Sequence, residues 1–274
     1  MDKQLFKKTF LCECTGYARI APDTMSLEFL WPGPVPRGGQ FFLIKPDRSG
    51  VFLARPISVA GWQNTVGKCI LRFIVAVRGQ GSKELADFKP GGKAELSGPL
   101  GNSWAEAVGL PYGSPIAASS RFSMSAADAV QKPFALVTGG VGIAPLLAFI
   151  QELGDKPFDL YAGFRSGSFG LEGIKARSLV VATEDGSQGR AGRIPDFFTP
   201  DGYGTVFACG PEPMLKTIGD KCLAAQVPCF VSMEKHMACG VGACLGCRVK
   251  TRNGNRSCCS DGPVFNYEEL CFDE

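Results

Sequence analysis

Over the first hundred residues, apolar and polar side chains alternate in short runs cut by Gly and Pro: SLEFLWP, GQFFLIKP, KCILRFIVAVR and KAELSGPLG. Successive side chains of an extended strand face opposite ways, so this period of two predicts strands. Their close spacing, with no long helical pattern, predicts an antiparallel barrel or sandwich over 1–104. One short helix is expected at KELADF (83–88). From about residue 133 the pattern changes. PFALVTGG reads as a buried strand ending in glycines, and PLLAFIQELG follows with helical periodicity. DLYAGF, SLVVAT and TVFACG are further apolar runs with helical or loop segments between them. That alternation predicts a parallel sheet with crossover helices over 105–228. Within it, roughly 105–132 is rich in Ala and Ser with little charge and reads as a linker or surface insertion. The last segment, 229–274, holds a cysteine cluster and a short acidic tail.

A chain of 274 residues can hold two domains and a small appendage. The net charge of +3 on a balanced mixture of signs gives no support to nucleic-acid or membrane-surface binding. No apolar run approaches the roughly 20 residues that span a bilayer. The first residues, MDKQLFKKTFLCECTG, are basic but lack an apolar stretch of signal-peptide length, so a cytoplasmic setting is expected.

In that setting the 12 cysteines do not read as disulfides, and 9 of them lie after residue 200, which points to a local metal site. Cys12, Cys14 and Cys69 read as small core or surface thiols. Cys239, Cys244 and Cys247 in CGVGACLGC have the C-x4-C-x2-C spacing of a plant-type [2Fe–2S] cluster, which takes a fourth cysteine further on. The spacing leaves Cys258 and Cys259 both open for that role. Gly240, Gly242 and Gly246 suit a loop wrapped tightly around inorganic sulfide, with amides aimed inward. A structural zinc site pairs two C-x2-C knuckles, and only one is present. A Rieske centre takes two histidines, and the chain has one, His236, which reads as a structural or supporting residue. A thioredoxin-type C-x-x-C would open a helix after a strand, which the glycine-rich surroundings oppose.

TGGVGIAPLL (138–147) follows an apolar strand and opens a helix, where glycines let amides approach a pyrophosphate at the positive helix end. Pro145 suits the first helical turn and stands where G-x-G-x-x-G would have its last glycine. ACGPEPML (208–215) repeats the arrangement and places Cys209 at the carboxyl end of a strand, where ligands of open α/β sheets bind. Glu184 and Asp185, after a third strand, can accept hydrogen bonds from ribose hydroxyls and repel a 2′-phosphate, favouring NAD over NADP; an acidic turn in solvent is the plain alternative. RPISVA (55–60) is expected to end a barrel strand, with Arg55 able to pair with a phosphate and Ser58 able to bond a flavin ring. Gly81 and Ser82, before KELADF, offer amides and a hydroxyl at a helix start.

In their order, RPIS, GxGS, GPLGN, GGVGIAPL, ACGPEPM and CGVGACLGC resemble the ferredoxin–NADP reductase superfamily over nearly the whole chain. Within it the chain is similar to the family of dihydroorotate dehydrogenase B electron-transfer subunits, above all in MEKHMACGVGACLGCRVK followed by CSDGPVF. The resemblance implies three parts: an antiparallel β-barrel FAD domain, a Rossmann-like parallel-sheet NAD domain and a small C-terminal [2Fe–2S] domain. It implies FAD contacts from Arg55, Pro56, Ile57 and Ser58 and from Ile74, Val75 and Ala76, with Gly81 and Ser82 on the pyrophosphate. Val75 stands where an aromatic residue is common. It implies an NAD site at Gly139, Gly140, Gly142 and Cys209, Gly210 and Pro211, with Cys209 positioned near the nicotinamide. It implies Cys259, not Cys258, as fourth cluster ligand.

The activity implied is that of a diaphorase-type oxidoreductase subunit in pyrimidine biosynthesis. It converts between the two-electron chemistry of nicotinamide and FAD and the one-electron chemistry of the cluster, passing electrons to NAD⁺. No residue reads as a base for oxidising dihydroorotate, so that step is assigned to an FMN-containing partner subunit, in a heterotetramer. The same module could serve a hydrogenase, a sulfite reductase or a ferredoxin-linked transhydrogenase. A zinc-stabilised binding module with a defunct nucleotide fold is the rival from another class.

Overall fold

The structure, a computed structural model, describes residues 8–109 and 132–272. The stretch expected to be a linker or insertion lies outside the described residues except for its ends. Six strands close into a barrel: β1 (Thr9–Ala21), β2 (Thr24–Trp31), β3 (Phe41–Pro46), β4 (Arg55–Thr65), β5 (Lys68–Ala76) and β6 (Lys93–Leu100). They run in the order β1-β2-β5-β4-β3-β6, every pair antiparallel. The barrel is filled by alternate residues of each strand, as a period of two requires. Leu71, Phe73 and Val75 of β5 point in, against Leu27, Phe29 and Phe42. Rings meet edge to face, Trp31 on Phe42 at 4.9 Å and Phe42 on Phe73 at 5.6 Å. Cys12, Cys14 and Cys69 are core thiols of this barrel. RPISVA does not end a strand. It opens β4, which runs on to Thr65.

The short helix, α1 (Gln80–Ala86), begins three residues before KELADF. A second, α2 (Trp104–Ala107), leaves the barrel behind. Trp104 is fully buried against Phe149 and Phe207, and its Nε1 donates to the Pro145 carbonyl at 3.1 Å.

The second layer is a sheet of β7 (Phe134–Gly139), β8 (Phe158–Phe164), β9 (Ser178–Thr183), β10 (Arg190–Ala191), β11 (Thr205–Cys209), β12 (Cys229–Ser232) and β15 (Val264–Asn266). Its order is β10-β9-β8-β7-β11-β12-β15, parallel except for β15. Helices α3 (Ile143–Leu153) and α4 (Glu212–Ala224) are the described crossovers. The sheet therefore continues past residue 228. Cys229–Ser232, read from sequence as the start of the cluster segment, is β12, and β15 pairs with it. The cluster segment is an excursion between these two neighbours, containing the hairpin β13 (Arg248–Thr251) and β14 (Gly254–Ser257).

Helix α3 fastens the sheet to the barrel. Gln151 bonds both backbone groups of Trp62 in β4, donating to its carbonyl at 2.8 Å and accepting from its N–H at 3.2 Å. Glu152 accepts from Gly38 N and from Arg37 Nε, at 3.2 and 3.4 Å. Burial raises the Glu152 carboxyl above its ordinary pKa, with Arg37 opposing. No helix among the described residues is long and apolar enough to cross a membrane.

Candidate functional site

The strand order reverses between β7 and β11, with β8 and β9 on one side and β12 on the other. Ligands of open α/β sheets bind outside the carboxyl ends of strands at such a switch point. The two glycine motifs both emerge there. After β7 the chain makes a 3-10 turn (Gly140–Gly142) into α3, and after β11 it passes Gly210 and Pro211 into α4. Close approach explains the glycines. A Cβ on Gly142 would fall on the carbonyl of Cys209, and one on Gly139 would lie 2.8 Å from Pro211 and 2.9 Å from Met214. Gly140 has φ +56 with open space before it. Cys209 is buried, and burial pushes its thiol pKa upward, which keeps it neutral. Thr138, which no sequence motif marks, leaves Oγ1 buried without a partner at the same strand end.

Glu184 and Asp185 are exposed beyond β9, two strands from the switch point. Asp185 Oδ1 already accepts from Ser187 Oγ at 2.6 Å and Ser187 N at 3.0 Å, and these bonds lower its pKa. Glu184 is thus the freer acceptor of the two.

Arg55 opens β4 on the side of the barrel that faces α1. Its side chain occupies the space a Cβ on Gly81 would need, with Cζ at 3.0 Å and Cδ at 3.2 Å. Arg55 Nε is buried with no hydrogen-bond partner. An orphaned guanidinium nitrogen beside the first turn of a helix fits a phosphate of FAD. Ser82 does not offer its hydroxyl. That Oγ accepts from Arg78 N at 2.8 Å and Gly79 N at 3.0 Å and donates to Gly79 O, closing the turn before α1. Pro56, Ile57 and Ser58 follow Arg55 along β4, each half-buried. On β5 the pleat separates the expected flavin segment. Val75 points into the barrel core, while Ile74 faces the apolar layer of the α/β sheet and Ala76 is half-buried. Val75 can therefore meet a flavin only through its backbone, and an aromatic side chain at this register would turn inward too.

The cluster loop holds its four thiols as two neighbouring pairs. Cys239 Sγ lies with Cys244, and Cys247 Sγ with Cys259. Backbone amides converge on them: Val241 N and Cys244 N on Cys239 Sγ at 3.4 and 3.5 Å, Gly242 N on Cys259 Sγ at 3.1 Å, and Cys259 N on Cys247 Sγ at 3.4 Å. Burial would raise the Cys239 thiol, but the amide donors outweigh it and lower its pKa to about 6. Burial, and then the Cys247 neighbour, push Cys259 up to about 12. Cys258 faces away from the pairs. It is buried and its Sγ donates to the Met233 carbonyl at 3.1 Å. Among the described residues no three Cys, His, Asp or Glu side chains converge as a single-metal site requires. Four neighbouring thiols with amides converging on them suit an iron–sulfur centre held by cysteines. His236 is exposed.

This loop rests on the barrel. A Cβ on Gly240, which has φ +71, would sit 2.7 Å from Leu43 Cδ1 and 3.1 Å from Leu100 Cδ1. In β3, Leu43 pairs with Pro56 and Phe41 with Ser58, so the cluster loop lies one strand from the flavin segment. Asn102, at the end of GPLGN, binds the segment after Cys259. Its N–H donates to the Gly262 carbonyl at 2.6 Å, its side chain donates to the Val264 carbonyl at 2.8 Å, and it accepts from Val264 N at 3.0 Å. Nothing in GPLGN signals this work of Asn102; only the fold brings residues 102 and 264 together.

Residues 234–271 match the family model described as the iron-sulfur cluster binding domain of dihydroorotate dehydrogenase B. The chain is 37% identical over 240 residues to the dihydroorotate dehydrogenase B (NAD(+)) electron transfer subunit of Clostridium perfringens, covering 85% of this chain and 87% of that one. The subunit of the same name from Caldanaerobacter subterraneus is 35% identical over 262 residues, covering 93% and 95%. Among solved structures, an NADH-dependent reduced ferredoxin–NADP oxidoreductase superposes with a TM-score of 0.76 at 27% identity, covering 97% of this chain and 91% of that one. A ferredoxin reductase of carbazole 1,9a-dioxygenase, with a TM-score of 0.61 at 23% identity, shares the fold. With relatives this similar over this much of its length, the chain belongs to the family of dihydroorotate dehydrogenase B electron transfer subunits.

Proposed function

We propose that this chain carries electrons from a catalytic flavoprotein subunit, by way of a [2Fe–2S] cluster and FAD, to NAD⁺. When bound, FAD exchanges a hydride with nicotinamide and single electrons with an iron–sulfur centre. The protein's own residues bind, align and shield. Gly139, Gly140, Gly142, Gly210 and Pro211 form the NAD cradle at the switch point, with Glu184 available to ribose hydroxyls. Cys209, kept neutral by burial, positions the nicotinamide and does not attack it. Arg55 holds a phosphate of FAD and the Gly81 backbone stays open to it, while Ser82 shapes the turn. Pro56, Ile57, Ser58, Ile74 and Ala76 supply the flavin's surroundings, with Val75 contributing backbone. Cys239, Cys244, Cys247 and Cys259 would hold the cluster, and the inward amides would favour its negative charge.

The observation that carries this reading is the contact of Gly240 with Leu43, because Leu43 pairs with Pro56 of the flavin segment. Cluster loop and flavin segment lie against one wall of the barrel. The partner is read as an FMN-containing, dihydroorotate-oxidising subunit in a cytoplasmic heterotetramer, since the relatives are named electron transfer subunits of that enzyme. Co-expression with the catalytic subunit of such an enzyme tests it. A stable complex that reduces NAD⁺ with dihydroorotate supports the reading; separate proteins with no such activity overturn it.

One observation favours a second reading. A protein that works with reduced ferredoxin, NADH and NADP superposes over nearly the whole chain. A transhydrogenase role predicts NAD⁺ reduction by reduced ferredoxin, with no response to dihydroorotate.

A further inference from the structure

Three neighbouring strands end on a polar row that lies on an otherwise apolar face. Thr138 of β7 and Ser232 of β12 are both in register with Cys209 of β11, one on each side. Two residues earlier the same strands align Leu136, Phe207 and Phe230, and the rings of Phe207 and Phe230 stack 6.0 Å apart. Alternation puts both rows on one face of the sheet. That face packs with α3 and with Ile74 of the barrel, in one apolar cluster that includes Cys209. Thr138, Cys209 and Ser232 are 0%, 2% and 3% exposed, so their polar atoms bond within the protein or not at all.

The two hydroxyls are used differently. Ser232 hydrogen-bonds the Cys209 sulfur. Thr138 Oγ1 has no partner. A buried hydroxyl left unpaired costs stability, and a valine of the same shape would avoid that cost. Stability alone therefore does not place a threonine here. Neighbouring strands lie about 4.8 Å apart, so a turn about χ1 brings Thr138 Oγ1 within hydrogen-bond reach of the sulfur. We propose that Ser232 and Thr138 are positioning residues that hold the Cys209 thiol from its two sides, the Ser232 hydroxyl donating to the sulfur and Thr138 Oγ1 accepting the S–H. A sulfur pinned from both sides keeps one orientation at the end of β11 and fixes how a nicotinamide ring comes to rest there. The inference rests on the proposed function, because it takes Cys209 as the residue that positions the nicotinamide. Its signature is a split: ring geometry depends on the two hydroxyls, whereas affinity for the dinucleotide is carried by the glycine loops.

The test uses holoprotein and the variants Ser232→Ala, Thr138→Val and Thr138→Ser. Valine keeps the shape of threonine and removes its hydroxyl; serine keeps the hydroxyl. Anaerobic stopped flow over a range of NADH concentrations gives the limiting rate of FAD reduction and the apparent Kd. Ser232→Ala and Thr138→Val should each lower the limiting rate at least about 10-fold with Kd within about 2-fold of native, and Thr138→Ser should keep at least about half of the native rate. The long-wavelength charge-transfer absorbance of NAD⁺ with chemically reduced FAD reports ring stacking without turnover, and it should fall in the same two variants. Thr138→Val should also melt about 2–4 °C above the native protein, because it removes the unpaired hydroxyl. A threonine with a merely structural role would not couple a gain in stability to a loss of rate. A native limiting rate in either variant that lacks a hydroxyl, a loss that falls in Kd alone, or a Thr138→Ser as slow as Thr138→Val overturns the proposal. Failure of NADH to reduce FAD in the native protein instead overturns the electron-transfer reading itself.

Discussion

The guanidinium of Arg55 occupies the space that a side chain on Gly81 would take, and its buried Nε is left without a partner. Strand β4 and the start of α1 thereby meet around one unpartnered guanidinium nitrogen. A charge-assisted hydrogen bond contributes about 1.5–3 kcal/mol. Arg55→Ala should weaken FAD binding by roughly 10- to 150-fold at that magnitude. Gly81→Ala should also weaken it by displacing Arg55. Titration of apoprotein with FAD, followed by flavin fluorescence, measures both. Native affinity in either variant removes Arg55 from the phosphate.

Cys258 and Cys259 are neighbours with opposite orientations: one donates to the Met233 carbonyl, the other accepts from Gly242 N. Cys259→Ser should lose or severely perturb the cluster absorption. Cys258→Ser should keep it, at a stability cost of about 1 kcal/mol for a small change in a buried site. Iron content and the visible spectrum of anaerobically purified variants decide. The reverse pattern assigns the ligand to Cys258.

Gly142 meets the Cys209 carbonyl so closely that any Cβ must part the two loops of the switch point. Gly142→Ala should slow FAD reduction by NADH by at least about 10-fold, the effect of about 1.4 kcal/mol on that step, while leaving FAD and iron content unchanged. Stopped-flow reduction and cofactor analysis on one preparation separate the two. An unchanged rate places the nicotinamide elsewhere.

Asp159 ties the sheet at the amino end of β8, receiving Arg177 Nη2 at 2.6 Å, Arg177 Nε at 2.8 Å and Tyr203 OH at 2.7 Å. Its bond to Arg177 holds its carboxyl below the ordinary Asp range, with burial opposing. A lowered folded pKa means that the stabilisation is complete above the unfolded value of about 3.9 and is lost as pH falls through the folded one. Asp159→Asn should therefore cost about 1–2 kcal/mol at neutral pH, given a half-exposed Arg177, and the difference from the native chain should shrink as the pH drops below about 4. Urea unfolding across pH measures it; a constant difference contradicts the ion pair.

Much of this was legible in the sequence where the determinants are local. The period of two in KCILRFIVA reports a strand, and applied strictly it also tells that Val75 shares a face with Phe73 and points into the core. The cysteine spacing and the glycines of both switch-point loops are likewise local signals. The illegible part is contact at long separation. No pattern announces that Arg55 rests on Gly81, that Asn102 ties down residues 262–264, or that the hydroxyl of Ser82 is consumed by its own turn. Cys229–Ser232 carries no local sign of its place in the sheet, because its pairing partners, β11 and β15, are set by the sheet and not by the run itself.

The proposed electron path joins the NAD cradle and the four cysteines within one chain. Anaerobic mixing of holoprotein with NADH, followed by optical and electron paramagnetic resonance spectra on a freeze-quench series, tests it most directly. The oxidised flavin spectrum should be lost first and the signal of a reduced [2Fe–2S] cluster should follow, with the second phase absent in Cys259→Ser. Reduced flavin beside a cluster that stays oxidised, or a colourless zinc protein, would contradict it.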